Sequence, residues 1–192
     1  MNPLLIIQKY YDPQGELYRL LVTHSVLVTK KALDLAADFQ KRRPRAEVNM
    51  TFIYEAAMLH DIGIFRCAAP EILCAGSEPY IRHGLLGREI LEAEGWPRHA
   101  LVCERHTGAG ISQQDVIQQQ LPLPQRDYLP ESLEEKIICL ADRFYSKTPH
   151  KLFHEKKLHK VHQKMQVWGP EVVKRFEGLC DLLLPDWREP RQ

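Results

Sequence analysis

The sequence of 192 residues predicts an all-α fold, a single-domain helical bundle of about seven helices. Three observations predict it. Apolar residues recur at three- and four-residue steps along most of the chain. No segment shows the period-two alternation of a half-buried strand. Proline, glycine and capping residues fall between the periodic segments, where helices start and stop.

The first long helix is expected from Glu16 to about Arg43. Leu17, Leu20, Leu21, His24, Leu27, Val28, Leu35 and Phe39 share one face of it, and Pro44 closes the region. Asn49 or Thr51 can cap the next helix, which runs to Asp61, with Gly63 as a left-handed terminator. "FRCAAPEILCAGSEP" reads as a loop. Pro79 fits the first turn of a helix ending near Gly95, and Pro97 starts another that ends at "HTGAG". The proline-containing stretch "ISQQDVIQQQLPLPQRDYLP" reads as an irregular excursion holding a short helix. Ser132 and Glu135 form a capping box for a helix that Pro149 stops. Two amphipathic helices, split at Gly169-Pro170, complete the chain. Residues 1–15 form an N-terminal segment, 16–149 the core, and 150–192 C-terminal helices packing on the same domain.

Apolar content is 44%, charged content 27% and formal net charge +1, which excludes a strong field for nucleic acid or an acidic membrane. No nucleic-acid polymer and no membrane are therefore expected as partners; a homodimer is left open. No stretch approaches the roughly 20 apolar residues that span a bilayer. The N-terminus has neither the basic region nor the cleavage site of a signal peptide. Five scattered cysteines without a CxxC pair argue against a thiolate zinc site and for a reducing, cytoplasmic setting.

The unusual feature is nine histidines. His24 lies on the apolar face of the first helix. His60 and Asp61 end the second, in "HDIG". His83 lies early in the third, in "YIRHG", and His106 ends the fourth, in "CERHTG". Asp142 interrupts the apolar run Ile137, Ile138, Leu140, Ala141 and Phe144. An unpaired carboxylate there would cost several kcal/mol, so it wants a cation. Imidazole and carboxylate ligands suit iron, manganese, nickel, zinc or cobalt. With two oxygens, Asp61 could bridge two divalent transition-metal ions and so serve as the central catalytic residue.

The ordered set His24, His60-Asp61, His83, His106 and Asp142 resembles the HD-domain superfamily of metal-dependent phosphohydrolases, and "HDIG" resembles the signature of its HDIG subgroup. The likeness covers roughly residues 16–149, making this the HD-type core. It implies that one ion is held by His24, His60, Asp61 and Asp142, and that a second is held by His83 and His106 with Asp61 as bridge. Iron is the first expectation. The chain is similar to the bacterial subgroup that hydrolyses dinucleoside polyphosphates, but carries Ile64 where that subgroup has a lysine. It also lacks the GYP motif of cyclic-dinucleotide phosphodiesterases.

The implied reaction is hydrolysis of a phosphoester or phosphoanhydride in a small phosphorylated substrate, a nucleotide first among candidates. Arg66, Arg143 and Lys147 are the expected substrate-binding cations, with Arg143 and Lys147 one turn apart on a shared helix face. Arg82 and Arg105 are weaker candidates. The same ligands would also serve a mixed-valence di-iron oxygenase or a non-catalytic nucleotide-binding module. His150, His154, His159 and His162 read as a basic, mostly solvated helix, and His99 as a surface residue. Trp96, Trp168 and Trp187 read as packing anchors.

Overall fold

The computed structural model describes residues 1–188; residues 189–192 of the C-terminal segment lie outside the described residues. Among the described residues there are nine α-helices: α1 (Pro3–Ile7), α2 (Glu16–Arg42), α3 (Met50–Leu59), α4 (His83–Ala93), α5 (Pro97–Arg105), α6 (Gln113–Gln118), α7 (Leu133–Asp142), α8 (Leu158–Met165) and α9 (Pro170–Leu183). The all-α expectation holds, with the two short helices α1 and α6 bringing the number above seven. None of these helices is long and apolar enough to cross a membrane.

Helix α2 is the spine, packed along α3 and α7, while α4 lies along α5. Its two halves face different apolar clusters. Leu20 and Leu21 join Ile6, Ile7, Leu59, Leu91 and Ala100. Val28, Leu35 and Phe39 join Ile53, Ile137, Leu140, Phe176 and Leu183. Each such buried side chain contributes about 1.5–3 kcal/mol. His24 falls between the two halves. The terminal segments thus share the core: α1 supplies the first cluster and α9 the second.

Local chemistry sets the helix ends. The Asn49 side chain accepts from the Phe52 amide at 2.9 Å, starting α3. Ser132 accepts from the Glu135 amide at 3.1 Å, but Glu135 turns to the Glu131 amide, so only half of the capping box forms. Pro79 precedes a 3-10 turn, Tyr80–Arg82, that leads into α4. The expected loop between α3 and α4 contains a minimal antiparallel pair, Ala68–Ala69 with Cys74–Ala75.

Two expectations are corrected here. Helix α7 ends at Asp142, not near Pro149. Lys156 explains this: its amide takes the Phe144 carbonyl at 2.8 Å, and its ammonium takes those of Arg143 and Tyr145 at 3.1 and 2.5 Å. Carbonyls capped from outside need no further helical turn. Lys147 therefore lies in a loop and shares no helix face with Arg143. The basic tail makes one 3-10 turn, Pro149–Lys151, and is α-helical only from Leu158.

Gly63 is the second correction. Its φ of −83° is ordinary right-handed backbone. The glycine is required by contact: a Cβ would sit 2.4 Å from both the His83 carbonyl oxygen and the Gly87 nitrogen. Gly84 plays the same role in the next layer, where a Cβ would meet the Cys103 carbonyl at 2.5 Å. The "HDIG" turn, α4 and α5 thus touch backbone to backbone. Tyr11 holds the turn from behind, donating to the Ile62 carbonyl at 2.8 Å and accepting from the Phe65 amide at 3.3 Å.

Gly63→Ala should lower unfolding stability by about 3 kcal/mol in urea titrations, as an overpacked contact. Gly178→Ala, at an exposed helical site with nothing within 4 Å of the added carbon, is the control and should be neutral or stabilising. Equal midpoints for the two variants would disprove the close-approach explanation.

Candidate metal centre

The six predicted ligands converge on one buried point. His24 and His60 are fully buried, as is Asp61; His83, His106 and Asp142 are at most 3% exposed. One Asp61 oxygen, Oδ2, lies 3.3 Å from His24 Nε2 and 3.0 Å from His60 Nε2. The other, Oδ1, lies 3.5 Å from His83 Nε2 and 3.4 Å from His106 Nε2. Asp142 Oδ1 completes the first group, 2.9 Å from His24 Nε2 and 3.5 Å from His60 Nε2.

Three rings are held in orientation by backbone carbonyls. His60 Nδ1 lies 2.6 Å from the Ala57 carbonyl, His83 Nδ1 2.7 Å from that of Tyr80, and His106 Nδ1 2.7 Å from that of Cys103. A carbonyl only accepts, so each Nδ1 carries a hydrogen, and in the neutral rings of His83 and His106 Nε2 presents a lone pair inward. His24, in mid-helix, has no partner for Nδ1 among the described residues. Burial pushes the His24 and His83 imidazoles down to about 3 and His106 to about 4, so all three are neutral near pH 7. Burial alone would raise the Asp61 carboxyl, but His60 and Lys147 beside it hold it well below the usual carboxylate range.

This donor set fits divalent cations. His83 and His106 present Nε2 to Nε2 at 3.1 Å, two lone pairs with no proton between neutral rings. Among the described residues His60 Nε2 and Asp61 Oδ1 have no hydrogen-bond partner, while Asp61 Oδ2 is met by the Lys147 ammonium. Buried acceptors facing acceptors are costly unless a cation is shared among them. Two groups have ligand atoms within 4.8 Å of one another: His24, His60, Asp61 and Asp142, and Asp61, His83 and His106.

The centre forms part of the wall of a cavity of about 350 Å³, to which His83 and Asp142 contribute. Arg143, Lys147, Lys156 and Lys164 line it, against Glu71 and Asp142. Lys147 is 11% exposed and its ammonium lies 2.7 Å from Asp61 Oδ2 and 4.0 Å from Asp142 Oδ1. Arg143 pairs with the Asp142 carboxylate.

Other predicted residues lie elsewhere. Arg66 pairs with Glu89 at 3.1 Å on the surface, outside the cavity. Arg82 pairs with Glu78, and Arg105 with Glu131 and Glu135. His99 is buried rather than at the surface, 3.2 Å from Glu55 and packed against Phe52 and Trp96. Trp168 is 55% exposed at the cavity and is no packing anchor. Sequence reasoning missed Tyr80, whose ring stacks on His83 with centroids 4.7 Å apart. It also missed Lys156 and Lys164. The "YIRHG" segment held a signal for Tyr80, an aromatic residue three before a ligand.

Comparison with known proteins adds the following. A family model described as HD domain matches residues 21–147. An uncharacterized protein of Methanocaldococcus jannaschii is 37% identical over 123 residues, 64% of this chain and 64% of that protein. Two proteins named tRNA (cytidine(56)-2'-O)-methyltransferase are similar over 66% of this chain and 32% of their own length: that of Picrophilus torridus is 34% identical over 128 residues, and that of Thermoplasma volcanium 30% over 127. The chain thus spans under two thirds of the first relative and about a third of the other two. No solved structure matches the chain significantly.

Elemental analysis of the purified protein should find about two metal ions per chain, the number a shared carboxylate can bridge. His83→Ala and His106→Ala should each lower this to about one, because they empty only the group on the Oδ1 side. An unchanged ratio in both variants would refute the two-group assignment.

Proposed function

The chain belongs to the HD-domain family, and from that premise we propose that it is a metal-dependent hydrolase of phosphoester or phosphoanhydride bonds in a small phosphorylated metabolite, nucleotides being the first candidates. One observation carries the reading. The buried donor set opens into a cavity whose cations, Arg143, Lys147, Lys156 and Lys164, outnumber its two carboxylates. Such a cavity concentrates phosphorylated anions beside the ligands.

His24, His60, Asp61 and Asp142 would hold one ion, and Asp61, His83 and His106 the other, with iron first and manganese, nickel, cobalt or zinc compatible with the same donors. Bound ions would polarise phosphoryl oxygens and acidify water. The chain's own groups do the rest. The Lys147 ammonium, next to Asp61, meets phosphoryl charge at the point of reaction. Arg143 extends that positive edge along the cavity. Tyr80 keeps His83 in place through its stacked ring and its backbone carbonyl. Ile64 is fully buried and reaches nothing in the cavity, so the ammonium nearest the ligands comes from Lys147 instead.

The test is anaerobic purification, elemental analysis and a phosphate-release screen over nucleotides and polyphosphates. Asp61→Ala should lose both metal and turnover. Lys147→Met should keep its metal and lose about 10²-fold in kcat/KM, the scale of removing one transition-state cation or donor. Metal-loaded protein that consumes oxygen with a polyol or phosphonate, and releases no phosphate from any compound screened, would overturn the reading.

A further inference from the structure

Beside the basic cavity lies a second one of about 250 Å³. The two share Thr107, Arg143, Met165 and Trp168, so one wall divides and joins them. The second has a different chemistry. Ile81, Ile111, Leu121 and Val172 supply its far walls. Its carboxylate, Asp115, is engaged through one oxygen, Oδ2, which accepts from the Ser112 amide at 2.8 Å and pairs with Arg175. Beyond the shared rim, the second Asp115 oxygen and the Gln119 amide are the side-chain groups left to offer hydrogen bonds to a guest, against four aliphatic side chains.

Trp168 marks the passage. A large aromatic ring 55% exposed, at the junction of a cationic recess and an apolar one, is placed to cover a guest that spans both. We propose that the apolar cavity is the subsite for the non-phosphate half of the substrate, and that this half is an aromatic or branched aliphatic group with few hydrogen-bonding atoms. The inference rests on the phosphohydrolase reading. The phosphate occupies the basic cavity next to the ligands, and the organic group turns past Trp168 into the apolar one. Hydrolysis consumes one water and leaves inorganic phosphate in the first cavity and the organic alcohol in the second. A sugar or a charged group would set hydroxyls or charge against Ile111, Leu121 and Val172, which discriminates against it and narrows the expected substrate from nucleotides to aryl and branched alkyl phosphates.

The test uses non-hydrolysable probes on the metal-loaded protein, read by calorimetry: methylphosphonate, phenylphosphonate and naphthylmethylphosphonate. Affinity should rise by about tenfold or more along the series, the scale at which apolar pockets distinguish added groups. Leu121→Asp should abolish the rise. Leu121 is half-buried in a loop, so the variant has every reason to fold, and the milder Leu121→Ala should reduce the rise in proportion. A flat series in the wild type, including no binding at all, overturns the subsite; so does a series that survives in Leu121→Asp. Because binding is read without turnover, phosphate release with a flat series would sink the subsite alone. A rising series with no phosphate release, either from the nucleotides and polyphosphates or from phenyl and naphthylmethyl phosphate, would sink the hydrolase reading instead.

Discussion

The structure depends on one buried carboxylate facing four imidazoles. Asp61 directs one oxygen at His24 and His60 and the other at His83 and His106, all within 3.0–3.5 Å. Such a cluster is unfavourable in isolation, since lone pairs face lone pairs in a dry interior. Every neighbouring feature answers that constraint. Lys147 brings a compensating charge, Arg143 does so for Asp142, and the chemistry of the donors calls for cations between them.

Where the ligands sit follows from backbone supply. His60 and His106 terminate α3 and α5, His83 begins α4, and Asp142 ends α7. Carbonyls near helix termini have acceptor capacity that the helix itself does not use. Three histidines spend their Nδ1 hydrogens there, three residues back along the chain. His24, inside α2, finds no such carbonyl, and its Nδ1 is unpartnered among the described residues. The glycines then bring these termini together. Gly63 against His83 and Gly87, and Gly84 against Cys103, allow the close contacts that set His83 beside both Asp61 and His106.

Much of this was legible in the sequence, because helix periods and ligand order are local or nearly local properties. The start of α2 at Glu16, the Asn49 cap and the Pro97 start could be read from neighbouring residues. What could not be read depends on a partner distant in the chain. Gly63 looks like a turn residue until α4 is placed against it. Lys147 looks helical until Lys156 is seen to take the carbonyls that would have continued α7. His99 looks exposed until Glu55 of α3 is set opposite. Arg66 looks like a phosphate ligand because it follows "HDIG", yet Glu89, one and a half helical turns into α4, claims it.

The division between shared and individual features falls along the chain itself. All six candidate ligands lie within residues 21–147, the span of the HD-domain match, and Lys147 is its last residue. Lys156, Lys164, Met165, Trp168 and Val172 lie beyond it and wall the two cavities. These residues are not independent of the centre. The amide and ammonium of Lys156 hold the carbonyls of Arg143, Phe144 and Tyr145, and so shape the loop that presents Lys147 to Asp61. The C-terminal segment therefore acts on the site in two ways, by lining the cavities and by fixing the loop between Asp142 and Lys147. A family core that supplies the ligands, joined to a tail that shapes the space around them, separates the chemistry a site can perform from the molecule on which it performs it.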